Sequence, residues 1–561
     1  MTEPLPVESW DGAGRGAWIG RLQLDLTGVL STVGMTLVVM GLVQLLPALA
    51  GLYWNDPALW NGDPDEVWWH DAWWLAVGAA GTCAAGVALL PMRRRRRTWT
   101  RRESLAIVAF SWIAATAAAG VPYLMLTDCG IPNALVESAS GLTTTGATVF
   151  PDVDHIRPPL HLWRSLTHWL GGAGIVLVVL VLTPFVSEGD QLRRSQRAEA
   201  SFFTENYRGS SKTSIKGLFT VYLGATGLLF VLLCALGMSA WDALQHAFAT
   251  ISTGGFSTRT ASLGAWGPAI QLTVFVFMIV GALNFVVLGR VVEKLRWDYR
   301  TARHEGQGAR SAWLRVVRNA IPTFVQSLWG SGEVRGYLIM IAAASLVMAG
   351  ILTVHGTLSG SDALVHATVT VGAISTTTGF CTENYAQWPA GCQVILLMLM
   401  VIGGCSGSTA GGLKFGRVLI LVKAAYREIR LLPRPQAVIP IRVGGVPVSQ
   451  AQVQEAARYV VTYLGLLMFV GLLVSMTGEA ADDPVSALML SVSSFGSIGP
   501  GYGACDPSGS FLPYAGSAKI LAVVAMLLGR LEIFPPLTIV LPSFWLQRSR
   551  RVLGLRRRSK E

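Results

Sequence analysis

TTTGA, residues 143–147, sits between long apolar runs, where three hydroxyls and a glycine are poor company for lipid. It is not alone. STGGF (252–256), TTTGF (376–380) and GSIGP (496–500) repeat its form, with glycine at the fourth place each time: Gly146, Gly255, Gly379 and Gly499. These glycines are 109, 124 and 120 residues apart (255 − 146, 379 − 255, 499 − 379). A near-constant internal period marks a duplicated structural unit. Each loop follows a short helix-like piece, at 132–142, 241–251, 361–373 and 483–494. Such pieces fall well below the roughly 20 residues that cross a bilayer, so they are expected to be re-entrant. Two share a pattern: DALQHAFATIS (242–252) and DALVHATVTVG (362–372).

The physics of the loop suggests its use. Non-helical backbone at membrane depth is tolerated only where protein buries it or where it lines a water-filled path. Four such loops about one axis would make a ring. Glycine takes left-handed φ at little steric cost, which lets successive carbonyls turn to the axis. A ring of carbonyls can replace the water shell of a bare cation. Threonine hydroxyls would add ligands or brace the loop, and the half-helix dipoles would act on the path. One loop alone would read as a Gly/Thr turn at a helix end; the regular recurrence favours the ring.

Composition agrees with a membrane setting. The chain has 561 residues, 52% hydrophobic and 14% charged, with a mean hydropathy of +0.49. A soluble domain carries about 25% charge. Ten spans are expected, at 25–50, 72–92, 104–126, 160–186, 214–238, 267–293, 334–356, 391–425, 455–477 and 516–546. The net charge of +11 comes largely from arginines clustered between spans, as at Arg93–Arg97, 193–217, 290–335, 417–442 and 548–558. Basic connectors mark the cytoplasmic side, which places both termini there and leaves no role for nucleic acid. The acidic, Trp-rich segment 55–69 and residues 151–159 fall outside. No cleavable signal peptide is evident in the polar first 20 residues. The seven cysteines show no CxxC metal spacing. Cys381 and Cys392 fall on one side, where a disulfide and two unpaired thiols are both open readings.

The chain is thus expected to be an all-α integral membrane protein of four pseudo-symmetric helix, re-entrant loop, helix repeats around a central pore. Two N-terminal transmembrane helices precede them. The expected divisions are 1–103, 104–190, 191–300, 301–432 and 433–561, the last with a basic tail.

The motifs ESASGLTTTGATV (137–149), LWRSLTHWLGGAGIVLVV (162–179), HAFATISTGGFSTR (246–259), STTTGFCTENYAQWP (375–389), IGGCSGSTAGGLKFGR (402–417), SIGPGYG (497–503) and LLGRLEIFP (527–535) carry a resemblance. From about residue 104 to 547 the sequence resembles the TrkH-type subunits of the Trk/Ktr/HKT potassium transporter superfamily, whose extra N-terminal helix pair matches the first two spans. The resemblance implies inward potassium transport, with the family's filter glycines at Gly146, Gly255, Gly379 and Gly499. The implied potassium filter comprises Thr144, Thr145 and Gly146; Thr253, Gly254 and Gly255; Thr377, Thr378 and Gly379; and Ser497, Ile498 and Gly499. It also implies a homodimer and a cytosolic nucleotide-binding regulatory (TrkA-like) subunit. One departure lies at or near Ser497, where the family usually carries Asn. The first 24 residues and the tail after 547 lie outside the pattern, and the basic tail reads as a solvated end near anionic membrane lipid.

Other features carry chemistry of their own. GGCSGSTAGG (403–412) interrupts the eighth span with Gly403, Gly404, Gly407, Gly411 and Gly412. Each glycine costs a helix roughly 1 kcal/mol against Ala. The stretch is either a close-packing helix surface or a flexible loop, and the resemblance implies a gate there, with Lys414 just past it. Arg530 lies in the last span, where a charge marks a pathway or meets a partner. Two readings are open: a pore-lining charge that repels cations, or an ion pair with Glu532. His246 and His366 hold equivalent places in two half-helices, which favours a structural role over metal binding. Glu137, Asp242 and Asp362 are expected at half-helix starts, where acids suit the dipole. No GxxxxGK[ST] motif or catalytic triad is present, so neither an organic cofactor nor enzyme activity is expected. Alternatives are a sodium-permeable or sodium-coupled transporter of the same architecture and an alternating-access transporter, although the latter usually shows two inverted halves.

Overall fold

A computed structural model of the chain describes residues 26–53, 68–92, 99–186 and 211–545. The first 25 residues, most of the acidic Trp-rich segment, the Arg93–Arg97 block, the connector 187–210 and the basic tail lie outside the described residues.

Two helices lead in, α1 (Leu26–Tyr53) and α2 (Trp68–Leu89). They pack closely because glycines face each other: a Cβ on Gly34 or on Gly86 would lie 2.6 Å from the other's carbonyl oxygen. Small residues allow such contact between membrane helices. Gln44 of α1 donates to Ala118 O (2.8 Å), tying the pair to the first repeat.

Four units follow. The first is α3 (Arg101–Leu126), half-helix α4 (Gly130–Leu142) and α5 (Pro158–Val186). The second is α6 (Ser211–Ala235), half-helix α7 (Ala240–Ile251), α8 (Pro268–Ala282) and α9 (Phe285–His304). A further helix, α10 (Ala309–Gly330), leads to the third unit: α11 (Gly332–Val354), half-helix α12 (Gly360–Ser375), α13 (Ala390–Ile402) and α14 (Phe415–Leu431). The fourth is α15 (Gln450–Ser475), half-helix α16 (Pro484–Gly496), α17 (Gly516–Arg530), α18 (Phe534–Val540) and α19 (Pro542–Trp545). Capping boxes fix two entry points. Thr100 and Glu103 exchange hydrogen bonds at the start of α3, and Ser449 and Gln452 do so at α15, which satisfies otherwise orphaned N–H groups.

The half-helices are 12 to 16 residues long. At 1.5 Å per residue they reach about 18–24 Å, short of a hydrocarbon core about 30 Å thick.

Among the described residues six helices are long and apolar enough to cross a membrane: Leu26–Ala50, His70–Met92, Arg102–Leu126, Gly217–Ala235, Gly332–Val354 and Gln450–Ser475. Three expected spans are not continuous. Span 267–293 breaks at Leu283–Asn284 with a bend of 96°. Span 391–425 gives way to the loop 403–414. Span 516–546 breaks at Leu531–Ile533, where Glu532 (φ 62°) and Ile533 (φ 54°) are left-handed and two prolines follow. The basic connector 290–335 is largely helical, because α9 and α10 fold through it as a hairpin. On α10, Trp313, Val317, Ile321, Val325 and Trp329 form an exposed apolar row at four-residue spacing.

Repeats two to four share one large apolar core. The N-terminal helices and the first repeat build a second around Tyr123, Leu160 and Trp163.

Candidate functional site

The four half-helices end in the same way. Thr144, Thr253, Thr377 and Ser497 all have φ between 53° and 56°. The N–H of the next residue reaches back to the last turn: Thr145 to Ser140 O (2.8 Å), Gly254 to Ala249 O (2.8 Å), Thr378 to Ala373 O (2.8 Å) and Ile498 to Ser493 O (3.1 Å). This is the long bond of a Schellman stop. Its left-handed position here holds threonine or serine where glycine is usual. The chain then runs to Gly146, Gly255, Gly379 and Gly499, again at positive φ (76–96°).

Those glycines close a ring. A Cβ on Gly146 would collide with Gly254 O, one on Gly255 with Thr378 O, and one on Gly379 with Ile498 O. A Cβ on Gly499 would lie 2.7 Å from Thr145 O. Each glycine thus abuts the carbonyl that precedes the next loop's glycine, from repeat one to four and back to one. All twelve residues named above as the implied filter come together in this ring. Those with side chains other than Gly are buried, with Thr144, Thr145, Thr253, Thr377, Thr378, Ser497 and Ile498 at 0% exposure. Thr143 and Thr145 join hydroxyls at 2.7 Å, as do Thr376 and Thr378. The fourth loop differs, because Ser493 Oγ donates to Gly499 O.

At the glycine end the loops open on a small vestibule of about 90 Å³, lined by the four glycines together with Arg164 and Arg259. Side chains of the half-helices hold the segments that leave the ring. Glu137 accepts from Val149 N (2.7 Å) and Thr148 Oγ1 (2.6 Å) and pairs with Arg164 (3.2 Å). Asp242 accepts from Thr258 Oγ1 (2.6 Å). His246 lies 3.1 Å from Ser257 Oγ, and His366 2.9 Å from Thr382 Oγ1. Both histidines are therefore braces. Glu137 is not at its helix start, as expected, but in the second half of α4, where it meets Arg164. Asp242 and Asp362 do lie in first turns. Cys381 and Cys392 are free thiols, which settles that alternative against a disulfide in this structure.

At the half-helix end lies the 403–414 loop, folded on itself so that a Cβ on Gly403 would strike Gly411 O. The break between α8 and α9 is matched to it. Cys405 N donates to Ala282 O (3.1 Å), Thr409 Oγ1 donates to Gly281 O (2.9 Å), and Phe285 N donates to Gly407 O (3.2 Å). The groups freed by the bend therefore bond to the loop, which explains a break that no proline causes. The loop also touches the ring: Gly411 N donates to Thr377 Oγ1 (2.7 Å), and Thr409 Oγ1 lies 3.3 Å from Thr253 Oγ1. Glu333 accepts from Ser406 N (2.7 Å). Lys414 donates to Ala410 O.

Arg530, 3% exposed, donates to Thr409 O and lies 3.5 Å from Gly171 O. It does not form the ion pair with Glu532 that was one of its two readings. Glu532 pairs with Arg417 at 2.6 Å, because the turn at 531–533 swings its carboxylate to α14, where Arg417 also stacks on Tyr459 at 3.8 Å. Gly403, Gly404, Gly407, Gly411, Gly412, Lys414 and Arg530 thus form one layer below the ring. Sequence reasoning missed the roles of Glu333, Arg417, Arg164 and His168, and the left-handed backbone of the filter's own Thr144, Thr253, Thr377 and Ser497. The motif LWRSLTHW, quoted for its resemblance alone, held two of them.

A family model named TrkH and described as a cation transport protein matches residues 75–546. The Trk system potassium uptake protein TrkH of Vibrio parahaemolyticus is 30% identical over 527 residues, covering 93% of this chain and all of that protein. Its counterpart in Escherichia coli is 28% identical over 517 residues, covering 91% and 98%. The crystal structure of the potassium transporter TrkH from Vibrio parahaemolyticus superposes with a TM-score of 0.75 at 28% identity, covering 93% of this chain and all of that one.

Proposed function

Because the chain belongs to the TrkH family of cation transport proteins, which are multi-pass membrane transporters and not enzymes, we propose that it carries potassium into the cell along the axis of the four loops. Thr144–Gly146, Thr253–Gly255, Thr377–Gly379 and Ser497–Gly499 act as the selectivity filter. One observation supports this above the others: the glycine-to-carbonyl contacts run through all four repeats and close on the first. A closed set of backbone oxygens can stand in for the hydration shell of a bare cation. The relatives' names as potassium uptake proteins support potassium as the ion.

The 403–412 loop acts as the gate, with Arg530 as the latch that holds its Thr409 carbonyl. The bonds from Glu333, Thr377 and Arg530 to the loop support this reading. Both termini face the cytoplasm, and the chain divides at about 103, 190, 300 and 432. The working form is a homodimer regulated by a cytosolic nucleotide-binding subunit. The exposed apolar row on α10 supports a second copy as its cover.

The test is ion flux. Protein in liposomes should pass rubidium well ahead of sodium. Gly146→Ser and Gly379→Ser should lower that ratio by roughly tenfold or more, since a side chain there strikes the neighbouring carbonyl. Unchanged selectivity in both variants would sink the filter assignment. Equal rubidium and sodium flux in the parent protein would favour a sodium-permeable transporter.

A further inference from the structure

We propose that His168 is a positioning residue for ion selection: it holds the second filter loop in register with the first half-helix. The inference rests on the four-loop reading and adds a residue to it.

His168 is on α5, fully buried, with both ring nitrogens engaged. Nδ1 is 2.8 Å from Gly141 O, in the last turn of half-helix α4. Nε2 is 3.2 Å from Phe256 N, the residue after filter Gly255. A backbone N–H can only donate, so Nε2 accepts. Nδ1 then carries the proton and donates to Gly141 O. The ring is thus a neutral imidazole in one tautomer, joining two neighbouring repeats. It stacks on Phe256 at 4.0 Å with an interplanar angle of 24°. Arg164 covers the same phenyl ring at 4.1 Å. The two side chains are four residues apart on α5 and so share a face. Gly254 lies flat against the imidazole, for a Cβ there would run into the ring. The imidazole therefore holds the residues on either side of filter Gly255, Gly254 by contact and Phe256 by hydrogen bond and stacking.

The other repeats show what this position does otherwise. Gly171, Gly281 and Gly529 each abut the last turn of their own half-helix, at Leu142 O, Ile251 O and Phe495 O. Three residues before each comes His168, Met278 and Met526. Both methionines are fully buried. Thioether fills the space in repeats two and four, so packing alone does not call for an imidazole. A buried polar ring is costly unless hydrogen-bonded, and here its two bonds fix loop two relative to half-helix one.

The experiment uses full-length protein in liposomes and reads the rubidium-to-sodium flux ratio, beside total rubidium flux and thermal stability. His168→Met copies the residue of repeats two and four. It should remain folded and lower the ratio by on the order of tenfold. His168→Gln can still place an acceptor near Phe256 N and should keep most of the ratio. His168→Asn keeps a donor near Gly141 O, cannot reach Phe256 N, and should behave like His168→Met. A parent-like ratio in His168→Met overturns the proposal. Should that variant not assemble, equal ratios in the Gln and Asn variants overturn it, and a higher ratio in Gln supports it. Gly379→Ser separates this from the underlying reading. If Gly379→Ser leaves the ratio unchanged, the four-loop filter itself fails. If Gly379→Ser lowers it and His168→Met does not, only the role of His168 fails.

Discussion

Thr144, Thr253, Thr377 and Ser497 hold a backbone conformation that costs an L-residue roughly 1–2 kcal/mol. Such strain persists where surroundings over-determine it, typically at functional sites. The four are not equivalent in what their hydroxyls do. Thr377 Oγ1 accepts from Gly411 N, whereas Ser497 Oγ has no partner among the described residues. Glycine at either position removes the strain and raises the chain entropy lost on folding by roughly 0.5–1 kcal/mol. Ser497→Gly is therefore expected to stay within about 1 kcal/mol of the parent. Thr377→Gly also strands a buried N–H and should lose about 1–3 kcal/mol more. Thermal unfolding in detergent measures the contrast; equal stability of the two variants would contradict it. Sequence rules assign left-handed backbone to glycine, which is why Gly146, Gly255, Gly379 and Gly499 were legible in advance. The same backbone at the Thr and Ser residues two places earlier was not.

The 403–414 loop takes its shape from elements far away in sequence. It is tied to the α8–α9 break, to Glu333 on α11 and to Arg530 on α17. Its glycines announced an interruption, and the repeated Asp-Ala-Leu-x-His-Ala announced the half-helices. The bend at Leu283–Asn284 had no such signal, because its cause is the loop's own N–H and C=O groups, not a local breaker. The turn at 531–533 was signalled by Pro535 and Pro536, yet span 516–546 was expected to run on as helix, which left an Arg530–Glu532 pair open as one of two readings; the turn carries Glu532 to Arg417 instead. Double-mutant cycles distinguish the two pairings. Arg417→Gln with Glu532→Gln should show a coupling of about 1 kcal/mol at most, since both side chains are partly exposed. Arg530→Gln with Glu532→Gln should show less. Arg530→Gln alone should raise rubidium flux by freeing the Thr409 carbonyl, with Glu532→Gln giving no rescue of any lost stability. A larger coupling for the 530–532 pair than for 417–532 would reverse this assignment.

In the whole molecule, the α9–α10 hairpin stands apart from the four-repeat plan. Its apolar row was hidden in the sequence by arginines at Arg310, Arg315 and Arg318, which lower the local hydropathy below that of a span. In the proposed homodimer a second copy covers this exposed row. Replacing Val317, Ile321 and Val325 together by serine should convert a dimer to monomers in detergent, as read by light scattering, with the monomer still folded. Persistence of the dimer would assign the row to lipid instead. The rest of the plan was legible because duplication repeats its punctuation four times; a unique insertion has no second copy to compare. The same duplication has a consequence for how this pore can change. In a channel of four identical chains, one altered codon alters every quadrant at once. Here each quadrant has its own codons, so His168 braces one boundary and Ser493 holds one carbonyl while the remaining three quarters stay as they were. Inheritance can therefore adjust this ring a quarter at a time, and a pore of unequal walls is the expected product of that freedom.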